Sequence, residues 1–228
     1  MNSMTSIKSP RDYISPSDLT FLWGECKKCF WLKYREGISR PGFMPLVGPM
    51  SAFQESRYRN QETSSMDSSL PSGTISDWGK SIESSPIIID GVETRWRIKG
   101  KYDVVITFHN GTLGLVDCKV TTGEMDENKI ELYWPQLEAY AYALEYPLIG
   151  RGQKVSETGL LMWRIVAAET NFTDENVFIA DKSYLSSPRR QEDFYLLMKE
   201  VISILEGSLP EAGEKCTTCK FFNKRLAI

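Results

Sequence analysis

Two apolar runs separated by Asn110-Gly111 dominate the middle of the chain. Val104, Val105, Ile106 and Phe108 form the first, and Leu113, Leu115 and Val116 form the second. Asn-Gly between two β-rich runs predicts a hairpin, because both central residues of the tight turn take positive φ. Downstream, Leu137, Tyr140, Ala141 and Leu144 recur at helical spacing and predict an amphipathic helix seated on a sheet. Residues 158–166 hold a nearly continuous run, Leu160, Leu161, Met162 and Trp163, as a covered strand does. Over 188–205, Phe194, Leu197, Met198, Val201 and Leu205 stripe another helix, which Pro210 and Gly213 end.

Nearer the N-terminus, Leu19, Leu22, Trp23, Cys26, Phe30 and Tyr34 predict one helix entered at Ser15-Pro16-Ser17-Asp18. It would carry Cys26 and Cys29 near its end. Residues 51–61 predict a helix, 87–89 and 94–98 strands split by Asp90-Gly91, and 171–179 an edge strand. Residues 1–13 read as a frayed polar end, and 40–49, 121–129 and 147–154 as loops. The Ser-rich stretch 61–74 reads as a flexible connection.

The length of 228 residues suits one substantial domain with appendages, at 41% hydrophobic and 25% charged content. No apolar run is long enough to span a bilayer, and the first residues lack the apolar core of a signal peptide, so a cytoplasmic protein without membrane contact is expected. A formal charge of -3 gives no general attraction to nucleic acid, so DNA binding would need a local basic groove. Lys27, Lys28, Lys33, Arg35 and Arg40 make one segment basic, either a DNA-facing patch or a solvated helix face. The single histidine, His109, excludes a multi-histidine metal site.

The predicted hairpin brings Asp103, at the start of one strand, beside Asp117, at the end of the next. Lys119 follows two residues on, on the same face. Two carboxylates and a backbone carbonyl such as that of Cys118 suit Mg²⁺ or Mn²⁺. Such a cation polarises a phosphodiester, and Lys119 can orient water or stabilise charge. A pair of exposed acids with a lysine bridged to one of them is the bland alternative. Gln136 and Tyr140, four apart, share one helix face.

Five cysteines without a secretion signal read as metal ligands before disulfides. Cys26-x-x-Cys29 and Cys216-x-x-Cys219 can supply a four-thiolate zinc site or the ligands of an iron–sulfur cluster, clamping the chain's two ends together. Cys118, in the acid-bearing strand, reads as a buried small apolar residue.

With Gly100-Lys101-Tyr102-Asp103, then Asp117-Cys118-Lys119, then Gln136-Leu137-Glu138-Ala139-Tyr140, the chain resembles the PD-(D/E)XK nuclease superfamily, RecB-like branch. The resemblance implies metal binding by Asp103 and Asp117, work on the attacking water by Lys119, and DNA contact by Gln136 and Tyr140. It also implies an early-helix acid completing the site, for which Glu55 is the candidate by position, although an exposed surface glutamate is the commoner outcome. In layout the chain is similar to the CRISPR-associated RecB-like exonucleases and AddB-type nuclease domains, which carry a cysteine-bound cluster. There the usual pattern is one cysteine upstream and three downstream, whereas here it is two and two. The resemblance favours a 4Fe-4S cluster, and ligand count fits Zn²⁺.

The expected architecture is α/β, a restriction-endonuclease-like central mixed sheet flanked by helices, with a cysteine-clamped lobe from both termini. Residues 1–60 would be an N-terminal helical segment, 61–74 the connection, 75–206 the nuclease core and 207–228 the C-terminal CxxC segment. The expected activity is a divalent-metal-dependent DNA nuclease, of exonuclease type, acting on ends or single strands. A repair, defence or phage replication assembly is each compatible with it. The alternatives are a non-catalytic nucleic-acid-binding module on the same fold and a metal-clamped scaffold that binds only protein.

Overall fold

A computed structural model of the chain describes residues 11–39, 47–170 and 176–226. Of the expected frayed start, residues 1–10 lie outside the described residues, whereas Tyr13 is ordered in a strand paired with Arg97; of the expected 40–49 loop, 40–46 lie outside and 47–49 begin a helix.

In chain order the elements are β1 (Tyr13–Ile14), α1 (Pro16–Glu25), α2 (Lys27–Arg35), α3 (Val47–Arg57), β2 (Gly73–Trp78), β3 (Ser81–Glu83), β4 (Ile88–Ile89) and β5 (Val92–Glu93). There follow β6 (Arg97–Lys101), β7 (Val104–Phe108), β8 (Leu113–Thr121), α4 (Glu127–Glu145), β9 (Val155–Thr170), β10 (Asn176–Ser187), α5 (Gln191–Glu206) and α6 (Thr217–Leu226). The central sheet is mixed, in the order β10-β9-β8-β7-β2. β8 and β9 run parallel, which requires the crossover that α4 supplies, and the other neighbours are antiparallel. A smaller sheet has the order β1-β6-β3.

Strand alternation divides the core between the two faces of the central sheet. Leu113, Leu115 and Val105 pack against Leu137 and Tyr140 of α4. Val104, Ile106, Phe108, Val116 and Cys118 pack on the opposite face with Tyr58, Met66 and Leu70. A third cluster joins Trp23, Phe30 and Tyr34 of α1 and α2 to Trp96, Ile98 and the apolar stripe of α5. The N-terminal helices therefore share a core with the rest of the chain.

Several expectations change. The predicted first helix breaks at Cys26, whose extended backbone (φ -163°) ends α1 and caps α2 with its thiol. The 61–74 stretch is anchored, not a free connection: Met66, Leu70 and Thr63 are buried, and Glu62 bridges to Thr74. Strand β2 begins inside it, at Gly73, and β3 follows. The helix bearing Gln136 starts at Glu127, inside the predicted 121–129 loop, and continues through Pro135. The edge strand β10 extends to Ser187, and residues 171–175 lie outside the described residues.

The central hairpin forms where expected, with a different turn. Phe108 N–H donates to Thr112 O at 2.9 Å across three loop residues, and of these only Gly111 has positive φ (+82°). Asn110 instead accepts from Thr112 N–H through its side chain at 2.9 Å. The two-residue turn with paired positive φ appears at Asp90-Gly91 (φ +50° and +77°), between β4 and β5.

Candidate active site and cysteine clamp

β7 and β8 pair with Val104 opposite Val116, which sets Asp103, just before β7, across from Asp117, which lies in the middle of β8 and not at its end as expected. By alternation from Leu113 and Leu115, the side chains of Asp117 and Lys119 lie on the face that α4 covers. Asp103 Oδ2 accepts from Cys118 N–H at 2.7 Å, so one acid is fastened to the backbone beside the other. Lys119 Nζ lies 2.5 Å from Asp117 Oδ2. Among the described residues that ammonium is the one partner of this oxygen, which receives no hydrogen bond from a neutral donor. On its other side Lys119 Nζ sits 4.9 Å from the ring of Tyr133, a half-buried residue in T-shaped contact with Phe21 of α1.

Gln136 projects from α4 to donate from Nε2 to Asp117 Oδ1 at 2.7 Å. Tyr140, one turn on, donates to the carbonyl of Lys101 at 2.7 Å. Both side chains are buried. Within the fold Gln136 Nε2 engages Asp117 and Tyr140 engages the Lys101 backbone, while Gln136 Oε1 is buried with no hydrogen-bond partner among the described residues. Tyr140 can lie this close to β6 because residue 100 is glycine. A Cβ there would come within 2.9 Å of the Tyr140 ring and hydroxyl and of Pro16.

Glu55, the early-helix candidate, is buried and is not the exposed surface glutamate that is the commoner outcome. α3 docks through its neighbour Gln54, whose Nε2 donates to Lys119 O at 3.3 Å and to Leu161 O at 3.4 Å. Glu55 Oε2 then lies 3.7 Å from Lys101 Nζ. Gly79 makes room for this pair. Its positive φ (+59°) admits glycine readily, and a Cβ would fall 2.7 Å from the Glu55 carboxylate. Gln54, Gly79 and the reason for Gly100 were not evident from sequence, since each acts through a contact with a residue distant in the chain.

The electrostatics join these groups. Burial, then repulsion from Asp117, pushes the Asp103 carboxyl up to about 7, with Glu55 contributing further. Burial also raises Glu55, partly offset by Lys101. Lys119 goes the other way: burial disfavours its charge, but Asp117 and Asp103 outweigh it and hold its pKa above the ordinary lysine value. Three carboxylates thus crowd against two ammonium groups. A surplus of shielded negative charge, with a carboxylate oxygen short of donors, fits a hard divalent cation bound by oxygen ligands. The Cys118 side chain is buried beneath the sheet, as expected.

The second site is the cysteine clamp. Cys26 caps α2 and Cys29 lies in its first turn, while Cys216 precedes α6 and Cys219 lies in its first turn. The four Sγ atoms all fall within 4.8 Å of one another. Backbone N–H groups of Cys29, Cys219 and Gly213 point at the sulfurs of Cys26, Cys216 and Cys26, at 3.5, 3.4 and 3.3 Å. Burial works against ionising Cys26, but its N–H donors prevail and bring the thiol down to about 7. Burial raises Cys219 to about 11 and Cys29 further. Four cysteine sulfurs converging on one point form an arrangement that a metal ion completes. Lys27, a candidate DNA contact, forms an exposed ion pair 2.8 Å from Glu200 and lies 3.2 Å from the centre of the Trp23 ring. Lys28 borders an apolar cavity beside Cys29 and Cys219. Among the described residues no helix is long and apolar enough to cross a membrane.

Comparison with known proteins matches residues 46–223 to the family described as the PD-(D/E)XK nuclease superfamily. No curated protein matches the sequence. A solved structure titled "Crystal structure of SSO0001" aligns at 13% identity with a TM-score of 0.46, covering 90% of this chain and 82% of that one.

Proposed function

The chain belongs to the PD-(D/E)XK nuclease superfamily, and from that premise we propose that it is a Mg²⁺- or Mn²⁺-dependent deoxyribonuclease. The observation that carries this reading is the crowding of Asp103, Asp117 and Glu55 around Lys119 and Lys101, with the Asp103 carboxyl raised to about 7. Asp103 and Asp117, with the Cys118 carbonyl, are the residues that would hold the cation, and Glu55 completes the set from α3. When bound, the cation supplies Lewis-acid polarisation of the phosphodiester and neutralises charge in the displacement.

Lys119 stays an ammonium at neutral pH, because Asp117 and Asp103 outweigh its burial. Its role is therefore to orient water by hydrogen bonding and to stabilise the charge that develops on the phosphate, and not to abstract a proton. Gln136 fixes the Asp117 carboxylate through Oδ1, leaving Oδ2 toward Lys119. Tyr140 fixes the backbone two residues before Asp103. Both are positioning residues. DNA ends or single strands are the proposed substrate, in an intracellular setting that a repair, defence or phage replication assembly would provide. Lys28 is a candidate strand contact.

Linear and covalently closed circular single-stranded DNA, incubated with the protein and Mn²⁺, test this. Degradation of the linear form alone is the expected result. Cleavage of the circle makes the enzyme an endonuclease. Salt-sensitive retention of both DNAs with no cleavage in either metal replaces the proposal with a binding module.

A further inference from the structure

We propose that Cys26, Cys29, Cys216 and Cys219 hold one tetrahedral zinc ion, and that the spacing of their sulfurs does not fit an iron–sulfur cluster. The proposal is independent of the nuclease reading, because it concerns a different part of the molecule and a different metal.

Sulfur–sulfur lengths decide between the two. Four thiolates bound to one zinc at about 2.3 Å lie at the corners of a tetrahedron with edges of about 3.8 Å. Separations of 3.8 Å for Cys26 and Cys219, 3.6 Å for Cys29 and Cys216, and 3.5 Å for Cys29 and Cys219 match that edge. The widest of all is no more than 4.8 Å. In a four-iron cluster each thiolate sits on its own iron. Each sulfur–sulfur edge is then lengthened by the whole iron–iron separation, and four such thiolates cannot lie within the observed spacing.

A two-iron cluster fits no better. With one CxxC pair on each iron, short separations would occur within a pair and long ones between pairs. The three short separations here all run between pairs, from α2 to α6. The two pairs share one point, as they must around one ion.

The surrounding backbone suits a tetrathiolate. Each CxxC straddles the start of a helix, so two helix N-termini face the sulfurs. In each pair the N–H of the second cysteine points at the sulfur of the first, and Gly213 N–H adds a third donor. Outer hydrogen bonds of this kind steady ligands and offset the charge of four thiolates. A Cβ on Gly213 would strike the Glu25 carbonyl at 2.7 Å, so glycine is what lets the C-terminal segment approach Cys26. Because zinc has no redox chemistry, the clamp is a structural staple that does not respond to oxidants through its metal.

Metal analysis of anaerobically purified full-length protein, with its visible spectrum, tests the assignment without relying on activity. The expected result is one zinc per chain in a colourless protein, and X-ray absorption showing four sulfur neighbours at about 2.3 Å. Replacing the zinc with cobalt(II) should give the strong visible bands of a tetrahedral thiolate site. Iron with inorganic sulfide, a single iron, or four freely titrating thiols without metal would each overturn the proposal. A Cys219→Ser variant should lose the zinc or bind it at least tenfold more weakly. Undiminished zinc in that variant would also overturn it.

Discussion

The carboxylate of Asp103 accepts a 2.7 Å hydrogen bond from the backbone N–H of Cys118, the residue that joins Asp117 to Lys119. This bond crosses from the edge of one strand to the middle of the next and places two acids where their charges repel. Burial and Asp117 both raise the Asp103 carboxyl. Asp103→Asn keeps an oxygen able to accept from Cys118 while removing the charge. Cleavage should fall by about 10²-fold or more. Stability of the metal-free protein should rise, with roughly 2–4 °C in Tm for each kcal/mol of repulsion relieved. A thermal scan in chelator beside a cleavage assay reads both. A fall in Tm would show that the attraction of Asp103 for Lys119 and the Cys118 N–H outweighs its repulsion from Asp117.

Gln136 grips one oxygen of Asp117 and leaves the other facing Lys119. In Gln136→Leu the carboxylate is free to rotate. Loss of such an outer contact costs about 10–100-fold in metal affinity or activity. The Mn²⁺ concentration for half-maximal cleavage should increase on that scale. A change in maximal rate alone, at unchanged Mn²⁺ dependence, would place Gln136 on the substrate instead.

Gly100→Ala puts a methyl group 2.9 Å from the Tyr140 ring and from Pro16. Overpacking of this size costs about 1–3 kcal/mol. Urea denaturation should show that loss, and Gly24→Ala, at a helix position with open space around it, should not. Equal effects of the two variants would remove the steric account of Gly100.

Glu206 ties the end of α5 to Trp96 Nε1 at 2.6 Å and to Arg95 Nε at 2.9 Å. Burial works against its charge, but the Trp96 and Arg95 donors outweigh it and hold the carboxyl below the ordinary value of 4.5. A depressed carboxyl stabilises the fold at neutral pH and loses that contribution as pH falls below the unfolded value. The group is half exposed, so the contribution is under about 1 kcal/mol. The stability gap between wild type and Glu206→Gln should therefore close as pH drops from about 5 toward 3. A gap that stays constant over that window would mean the contact is not charge-dependent.

Local pattern was enough to find the hairpin, the helix on its sheet, the paired acids and the two cysteine pairs. These depend on strand alternation, helical spacing and motif order, all within short stretches. What stayed hidden depends on residues brought together from afar. Glu55 lies in an unremarkable helix segment and becomes part of the site only because Gln54 docks on β8 and β9. Met66 and Leu70 sit in a Ser-rich stretch whose composition reads as flexible, yet they fill the core beneath β7 and β8. The buried pairing of Glu138 with Arg189 at 3.0 Å, which links α4 to the start of α5, follows no local signal. The break at Cys26 likewise follows no helical-spacing signal; there the thiol caps α2 and meets Cys219 from the far end of the chain.

In the proposed mechanism Asp117 and Lys119 carry phosphodiester hydrolysis together, and every other role assigned around them depends on that. Single-turnover cleavage of linear single-stranded DNA in Mn²⁺ tests it most directly, comparing wild type with Asp117→Ala and Lys119→Ala. Wild-type cleavage should cease in chelator, and each variant should lose about 10²-fold or more while still binding the DNA. Wild-type rates in both variants would contradict the mechanism.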